Sequence, residues 1–208
     1  MCPLLERVAI PRGTVLIEPN QEPAFCIFYE EGLGSVLSGN AAGQSVEIGL
    51  FGKEGFSGIA AILQAGQSPQ KLVMQIGGSG LRVPTPAFAA FLRSDAELAL
   101  LMQRYVMFFL NQVGQTCLSN ALHSIEMRLA RWLLMSLDRM PDNNVPLTQE
   151  YLALMLGCNR TTVTGALGAL ADKGMIKSGR EASTSSIVSR WSKSRARLMA
   201  LRSGNMIA

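Results

Sequence analysis

The stretch from Leu147 to Lys177 constrains this chain more than any other, because it reads as two short helices joined by a tight turn. Thr148 can cap the first helix with Tyr151 at its N3 position, and Glu150 puts a negative charge in the first turn. Leu152, Met155 and Leu156 then recur at helical spacing, and Gly157 supplies a left-handed residue to end the helix. Asn159 can cap a second helix, whose buried stripe is Val163, Ala166, Leu167 and Leu170. Lys173-Gly174 closes it, and Met175-Ile176 is expected to begin a strand. This stripe leaves Arg160, Thr161, Thr162 and Thr164 near the outer N-terminal end of the second helix. A recognition helix presents its side chains to the major groove from that position, and an arginine there can grip guanine bidentately. An ordinary helical hairpin with a solvated polar end has the same spacing.

The whole chain has 208 residues, enough for two small domains. A hydrophobic share of 48% against 16% charged residues points to a well-buried globular protein. A net charge of +4 is compatible with nucleic acid without requiring it. Cys2, Cys26, Cys117 and Cys158 are scattered, with no Cys-x-x-Cys pair, so reduced and mostly buried thiols are expected and a metal site is not. His123 is the only histidine and has no partner set for metal or acid–base work. It is read as a helix-start residue, and neither a catalytic residue nor an enzymatic activity is expected. Pro3, Glu6, Arg7, Pro11 and Arg12 interrupt any N-terminal apolar run, and Tyr105–Leu110 is too short to span a bilayer. A cytoplasmic location without membrane association is the expectation.

From Ile10 to about Pro86 short apolar runs alternate with turn residues. Candidate strands are 14–17, 25–29, 35–37, 46–50 and 72–76, the pattern of a small antiparallel barrel or roll. Beyond Pro86 the period becomes helical. Asp95 and Glu97 sit near the start of a segment in which Leu98, Leu101, Tyr105, Phe108, Phe109 and Val113 recur, with no charge between Arg104 and His123. A helix apolar on more than one face must be covered on more than one face. One side is expected against the roll and the other against a second copy, with Leu98, Leu101, Tyr105, Phe108, Phe109 and Gln112 at the dimer interface. Residues 123–140 form another helix, with Ile125, Leu129, Trp132, Leu133 and Leu137 inward, and 141–144 a turn.

A roll, a long helix and a C-terminal helix-turn-helix resemble the CRP/FNR superfamily of bacterial transcription regulators, over nearly the whole chain. The specific part is Leu147-Thr148-Gln149-Glu150 followed by Gly157-Cys158-Asn159-Arg160-Thr161-Thr162-Val163, which looks like the family's helix-turn-helix signature. The resemblance implies an α+β fold: an N-terminal antiparallel β-roll of the cyclic-nucleotide-binding-like jelly-roll type (1–94), a long dimerisation helix (95–122) and a winged helix-turn-helix (123–208). It implies double-stranded DNA, a second copy of the chain and RNA polymerase as partners. Arg160, Thr161 and Thr164 would read bases, Gln149 and Thr162 would contact phosphates, and Asn159 completes the DNA-binding set. The best-known members carry Glu and Arg where this chain has Thr161 and Gly165, so their operator does not transfer.

The sensory half departs further from the pattern. Gly52-Lys53-Glu54-Gly55-Phe56 looks like the start of the family's phosphate cassette, but the Arg that pairs with a cyclic phosphate is missing. In its region stands Gln67-Ser68-Pro69-Gln70-Lys71, and Lys71 lacks the planar fork of arginine. Neither a cysteine cluster of the oxygen-sensing branch nor a haem-binding His is present. A response to cAMP is therefore not expected, no cofactor is implied, and any small-molecule effector is of unknown identity.

The tail is unusual. After Met175-Ile176-Lys177 the family turns through a two-stranded wing, whereas residues 179–195 are polar and then basic, without strand alternation. Glu181–Ile187 can be encoded as GAG GCA TCA ACA TCG TCG ATC, and that choice, read one base earlier than Ala182, spells Gly-Ile-Asn-Ile-Val-Asp, which resembles the usual wing. A frameshifted tail would give a sensor or interaction protein with impaired DNA binding. A natural tail would add non-specific DNA affinity through Arg190, Lys193, Arg195, Arg197 and Arg202. The nucleotide sequence of the gene decides between them: a frameshift predicts codons that spell the wing in the shifted frame, and codons incompatible with that frame end the idea.

Overall fold

A computed structural model describes residues 4–141 and 145–176. These form two compact units, one from residues up to Gln44 with Ile48–Thr116, the other from Ser45–Glu47 with the described residues from Cys117 onward.

The first unit contains the roll. Strands β1 (Glu6–Ile10), β2 (Val15–Ile17), β3 (Phe25–Tyr29), β4 (Leu33–Gly39) and β5 (Ser45–Phe51) precede a single-turn helix α1 (Ile59–Ile62). Strands β6 (Lys71–Ile76) and β7 (Gly78–Pro84) follow, and the sheets run β1-β7-β3 and β2-β6-β4-β5. β7 lies antiparallel to both β1 and β3, and β6 to both β2 and β4. The five strands expected from alternation are present, and β1 and β7 are additions. Charged residues hide β1 in the sequence, but Glu6 and Arg7 are both exposed and paired: Glu6 with Arg82 at 2.8 Å and Arg7 with Glu30 at 2.6 Å. Glycines hide β7, yet a side chain at Gly80 would come within 2.6 Å of the Phe28 carbonyl oxygen, so close strand approach requires glycine there.

Two aromatic-rich clusters fill this unit. One gathers Ile17, Tyr29, Val36, Phe51, Leu72 and Met74 with Phe109, the other Cys26, Phe56, Val83 and Phe88 with Met102. The last member of each comes from the long helix. A separate helix α2 (Thr85–Ser94), absent from the sequence reading, stops at Asp95, whose carboxylate accepts the Leu98 amide at 2.9 Å and caps α3 (Ala96–Leu122). The inward face of α3 is satisfied by specific bonds. The Gln112 side chain accepts the Leu50 amide at 2.6 Å, and the Tyr105 hydroxyl accepts the Phe56 amide at 3.0 Å.

The second unit packs α4 (Ile125–Leu137), α5 (Gln149–Leu156) and α6 (Arg160–Asp172) on one another. Leu129, Trp132 and Leu133 are buried as the α4 stripe predicts. Ser124 caps α4, so His123 is not its start: the ring ends α3, with Nδ1 3.1 Å from Ser119 Oγ. Met175 and Ile176 are buried but lie outside any strand, and the expected wing from Lys177 on lies outside the described residues, as does most of the 141–144 turn. Of the thiols, Cys26 is buried but Cys117 is exposed, against the expectation of burial. Among the described residues no helix is long and apolar enough to cross a membrane.

Within this unit the Trp132 indole donates to Glu47 Oε1 at 2.7 Å, and both residues are buried. An unpaired buried polar group costs about 1–3 kcal/mol. Trp132→Phe, which leaves this carboxylate oxygen without its indole donor, is expected to lower unfolding stability by that amount in denaturant titration. Glu47→Gln, which keeps an acceptor, is expected to cost less.

Candidate nucleic-acid interface

The surface is set by local capping. Thr148 Oγ1 accepts the Tyr151 amide at 3.3 Å and starts α5. Gly157 ends it in the left-handed region, at φ 61° and ψ 40°, where a side chain would be strained. The Arg128 guanidinium donates to the Leu156 carbonyl, satisfying one of the free carbonyls at that helix end, and to Asn120 Oδ1 at 2.9 Å. Asn159 Oδ1 then accepts the Thr162 amide at 2.8 Å and the Thr162 hydroxyl at 2.8 Å, starting α6 two residues after the turn glycine.

Burial fixes the rotation of α6. Val163, Ala166, Leu167 and Leu170 are inside, the four residues the period selects. Arg160, Thr161 and Thr164 are therefore exposed on the other side, with Asn159, while Thr162 is half-buried. Gly165 and Gly168 are exposed as well, and a Cβ at either would meet no atom within 4 Å. The middle of the outer face is bare, so another molecule can come close to the helix backbone.

The outer residues form a connected polar surface across both helices. Arg160 Nη1 lies 2.9 Å from Glu150 Oε1 on α5. The Thr164 hydroxyl lies 2.7 Å from Gln149 Oε1 and 3.0 Å from the Arg160 carbonyl, and its single proton serves one of them at a time. All six expected DNA-contact residues thus fall on or beside one surface. Glu150 was read from the sequence only as a first-turn charge, and its pairing across the turn has no periodic signal. The Glu150 carboxyl is held below the usual glutamate range chiefly by its own backbone amide; burial opposes this, and Arg160 and the Thr148 hydroxyl add smaller lowering contributions. A lowered carboxylate pKa means that the pairing is present at neutral pH and is lost as pH falls through that lowered value.

The six residues expected at a dimer seam separate. Leu101 and Phe108 are exposed, joined by Leu100, Met107, Leu110, Leu118 and Leu122. Phe109 is buried in the roll core, and Gln112 and Tyr105 bond inward, while Leu98 packs beside Met102. The reason is helical geometry: both faces of α3 are apolar, and the roll takes one of them. Lys71, considered as a phosphate partner, instead forms a surface pair with Glu18 at 3.3 Å. No group of three His, Cys, Asp or Glu side chains that could hold a metal ion occurs among the described residues.

Comparison with known proteins accords with this geometry. Residues 127–190 match the Crp-like helix-turn-helix domain. No curated protein matches the sequence. Among solved structures, FixK2 from Bradyrhizobium japonicum superposes with a TM-score of 0.76 at 17% identity, covering 95% of this chain and 96% of that one. A CRP/FNR-family transcriptional regulator from Thermus thermophilus gives 0.65 at 20%, with 95% and 98% covered. The c-di-GMP-responsive global regulator CLP of Xanthomonas campestris gives 0.68 at 15%, with 91% and 96% covered. The chain has the fold of the CRP/FNR transcription regulators, and its C-terminal part carries their helix-turn-helix.

The caps and glycines of α6 give opposite expectations for stability. Asn159→Ala should cost about 0.5–2 kcal/mol through loss of the cap. Gly168→Ala, at an open helical position, should gain about 0.5–1 kcal/mol. Thermal and denaturant unfolding of the two variants measures both.

Proposed function

We propose that this chain is a sequence-specific DNA-binding transcription regulator that acts as a homodimer, each copy placing α6 in the major groove at one half of a two-fold site. The observation that carries the reading is the exposed polar N-terminal half of α6, set opposite a fully buried inner stripe, in a segment that matches a Crp-like helix-turn-helix. In this reading Arg160 donates two hydrogen bonds to one guanine edge, and Thr161 and Thr164 contact neighbouring bases. Gln149 and Thr162 meet phosphates and fix the register, and Asn159 holds the helix start that aims Arg160. Gly165 and Gly168 allow the helix backbone to approach the groove closely.

Glu150 refines the assignment. It lies beside the proposed reading arginine and offsets its charge, so that phosphate contacts by Arg160 compete with an existing ion pair. Such a pairing favours a directional base contact over non-specific attraction.

The exposed side of α3 supplies the dimer surface. Its leucines, Met107 and Phe108 form an apolar face running from Leu100 to Leu122, far larger than a scatter of single exposed residues. Two such helices side by side make a two-fold dimer, which is expected to read two half-sites about one helical turn apart. Lys71 is engaged by Glu18, and a response to cAMP is not part of the proposal.

Selection of bound fragments from a random duplex library by the purified chain tests the reading. Recovery of one two-fold motif is expected, with at least tenfold weaker binding to it by Arg160→Ala. Retention of all duplexes alike, or an unchanged motif in Arg160→Ala, contradicts the proposal. Glu150→Gln is expected to strengthen binding to unrelated duplex and to steepen the dependence of log affinity on log salt by up to about one unit. An unchanged slope would show that Glu150 does not restrain Arg160.

A further inference from the structure

Arg160 and Thr161 lie ahead of Val163, the first buried residue of α6. Core packing begins behind them, so the direction in which they point depends on the turn that precedes the helix. The shape of that turn is local. The Gly157 amide donates to the Leu154 carbonyl at 3.2 Å, the Cys158 amide to the Ala153 carbonyl at 3.0 Å, and Asn159 caps α6. These bonds join the turn only to its own two helices, and none of them fixes how it faces α3 and α4.

Arg128 of α4 does. Its Nη2 donates to the carbonyl of Leu156, the last residue of α5, and its Nε donates to Asn120 Oδ1 on α3 at 2.9 Å. Leu156 is buried, so its carbonyl has little access to water as an alternative partner. Burial raises the Cys158 thiol and the Arg128 charge opposes it, so the guanidinium is near both residues that flank Gly157. Both hydrogen-bond acceptors are neutral, and the half-buried side chain therefore supplies direction more than charge pairing.

We propose that Arg128 is a positioning residue for base reading: its two-point grip on Leu156 and Asn120 holds the 156–159 turn in the orientation from which α6 presents Arg160. This rests on the reading of α6 as the recognition helix. A planar fork that donates in two fixed directions suits the task, and the ammonium of lysine, a point charge on a flexible stem, does not reproduce it. Without the grip, the cap and the buried stripe still form α6, but its first turn is held less firmly. A bidentate contact to guanine depends on alignment, whereas attraction to phosphates depends mainly on charge. Loss of the fork therefore weakens sequence-specific binding and leaves non-specific binding in place.

The test compares affinity for the motif recovered by fragment selection with affinity for a scrambled duplex of equal length. The full chain is measured beside Arg128→Lys, Arg128→Ala and Asn120→Ala, with circular dichroism to show which variants are folded. Loss of folded protein lowers both affinities alike, so their ratio responds to positioning and not to stability. Arg128→Lys, which keeps the charge, should lower the ratio about fivefold or more, with the scrambled-duplex affinity and its salt slope unchanged. Asn120→Ala, which frees one end of the guanidinium, should lower the ratio by less. An unchanged ratio in folded Arg128→Lys overturns the proposal. Equal loss on both duplexes makes Arg128 a stability contact, a smaller salt slope in Arg128→Ala makes it a phosphate contact, and either result overturns the proposal as well. If the unaltered chain selects no motif, the DNA-reading proposal falls and takes this one with it, whereas a selected motif with an unchanged ratio refutes the role of Arg128 alone.

Discussion

The inner stripe of α6 is the constraint on which the C-terminal unit depends. Val163, Ala166, Leu167 and Leu170 are buried on a helix packed against α4 and α5, and this sets which side chains remain outside. The magnitudes are decisive. Burial of Val163, Leu167 and Leu170 is worth about 1.5–3 kcal/mol each. The exposed Gly165 and Gly168 oppose helix formation by only about 1 kcal/mol each. Packing therefore holds the helix, and its outer face is free to be polar at one end and bare in the middle. The proposed contact with a groove uses both properties.

Much of this unit is legible in the sequence because capping is local. Thr148, Gly157 and Asn159 act on residues within a few positions, so their types and spacing predict the bonds the structure contains. The ion pair between Glu150 and Arg160 is not legible in that way, since it spans the turn and depends on the angle between two helices. Met175 and Ile176 show another limit. Their apolar character marks burial correctly, while the wing they were expected to open lies outside the described residues.

The roll was legible where alternation is strong and hidden where pairing is non-local. β7 reads as a glycine-rich loop until β1 and β3 are placed on either side of it, and β1 reads as charged until Arg82 and Glu30 are found opposite. In α3 the period revealed an apolar helix but not how its two faces are shared. Phe109 and Gln112 belong to the roll, whereas Leu100, Met107 and Leu118 stand outside. That division gives the inward face to the roll, and the outward face is the proposed contact between copies.

Protection of guanine N7 from dimethyl sulfate, on a duplex that the chain selects, tests the central claim most directly. Arginine gripping guanine from the major groove covers that atom. The account predicts one protected guanine in each half-site, about one helical turn apart, with protection lost in Arg160→Ala, whose fold is checked by circular dichroism. Protection that persists without the Arg160 side chain, or binding that leaves every guanine N7 open, would contradict major-groove reading by α6.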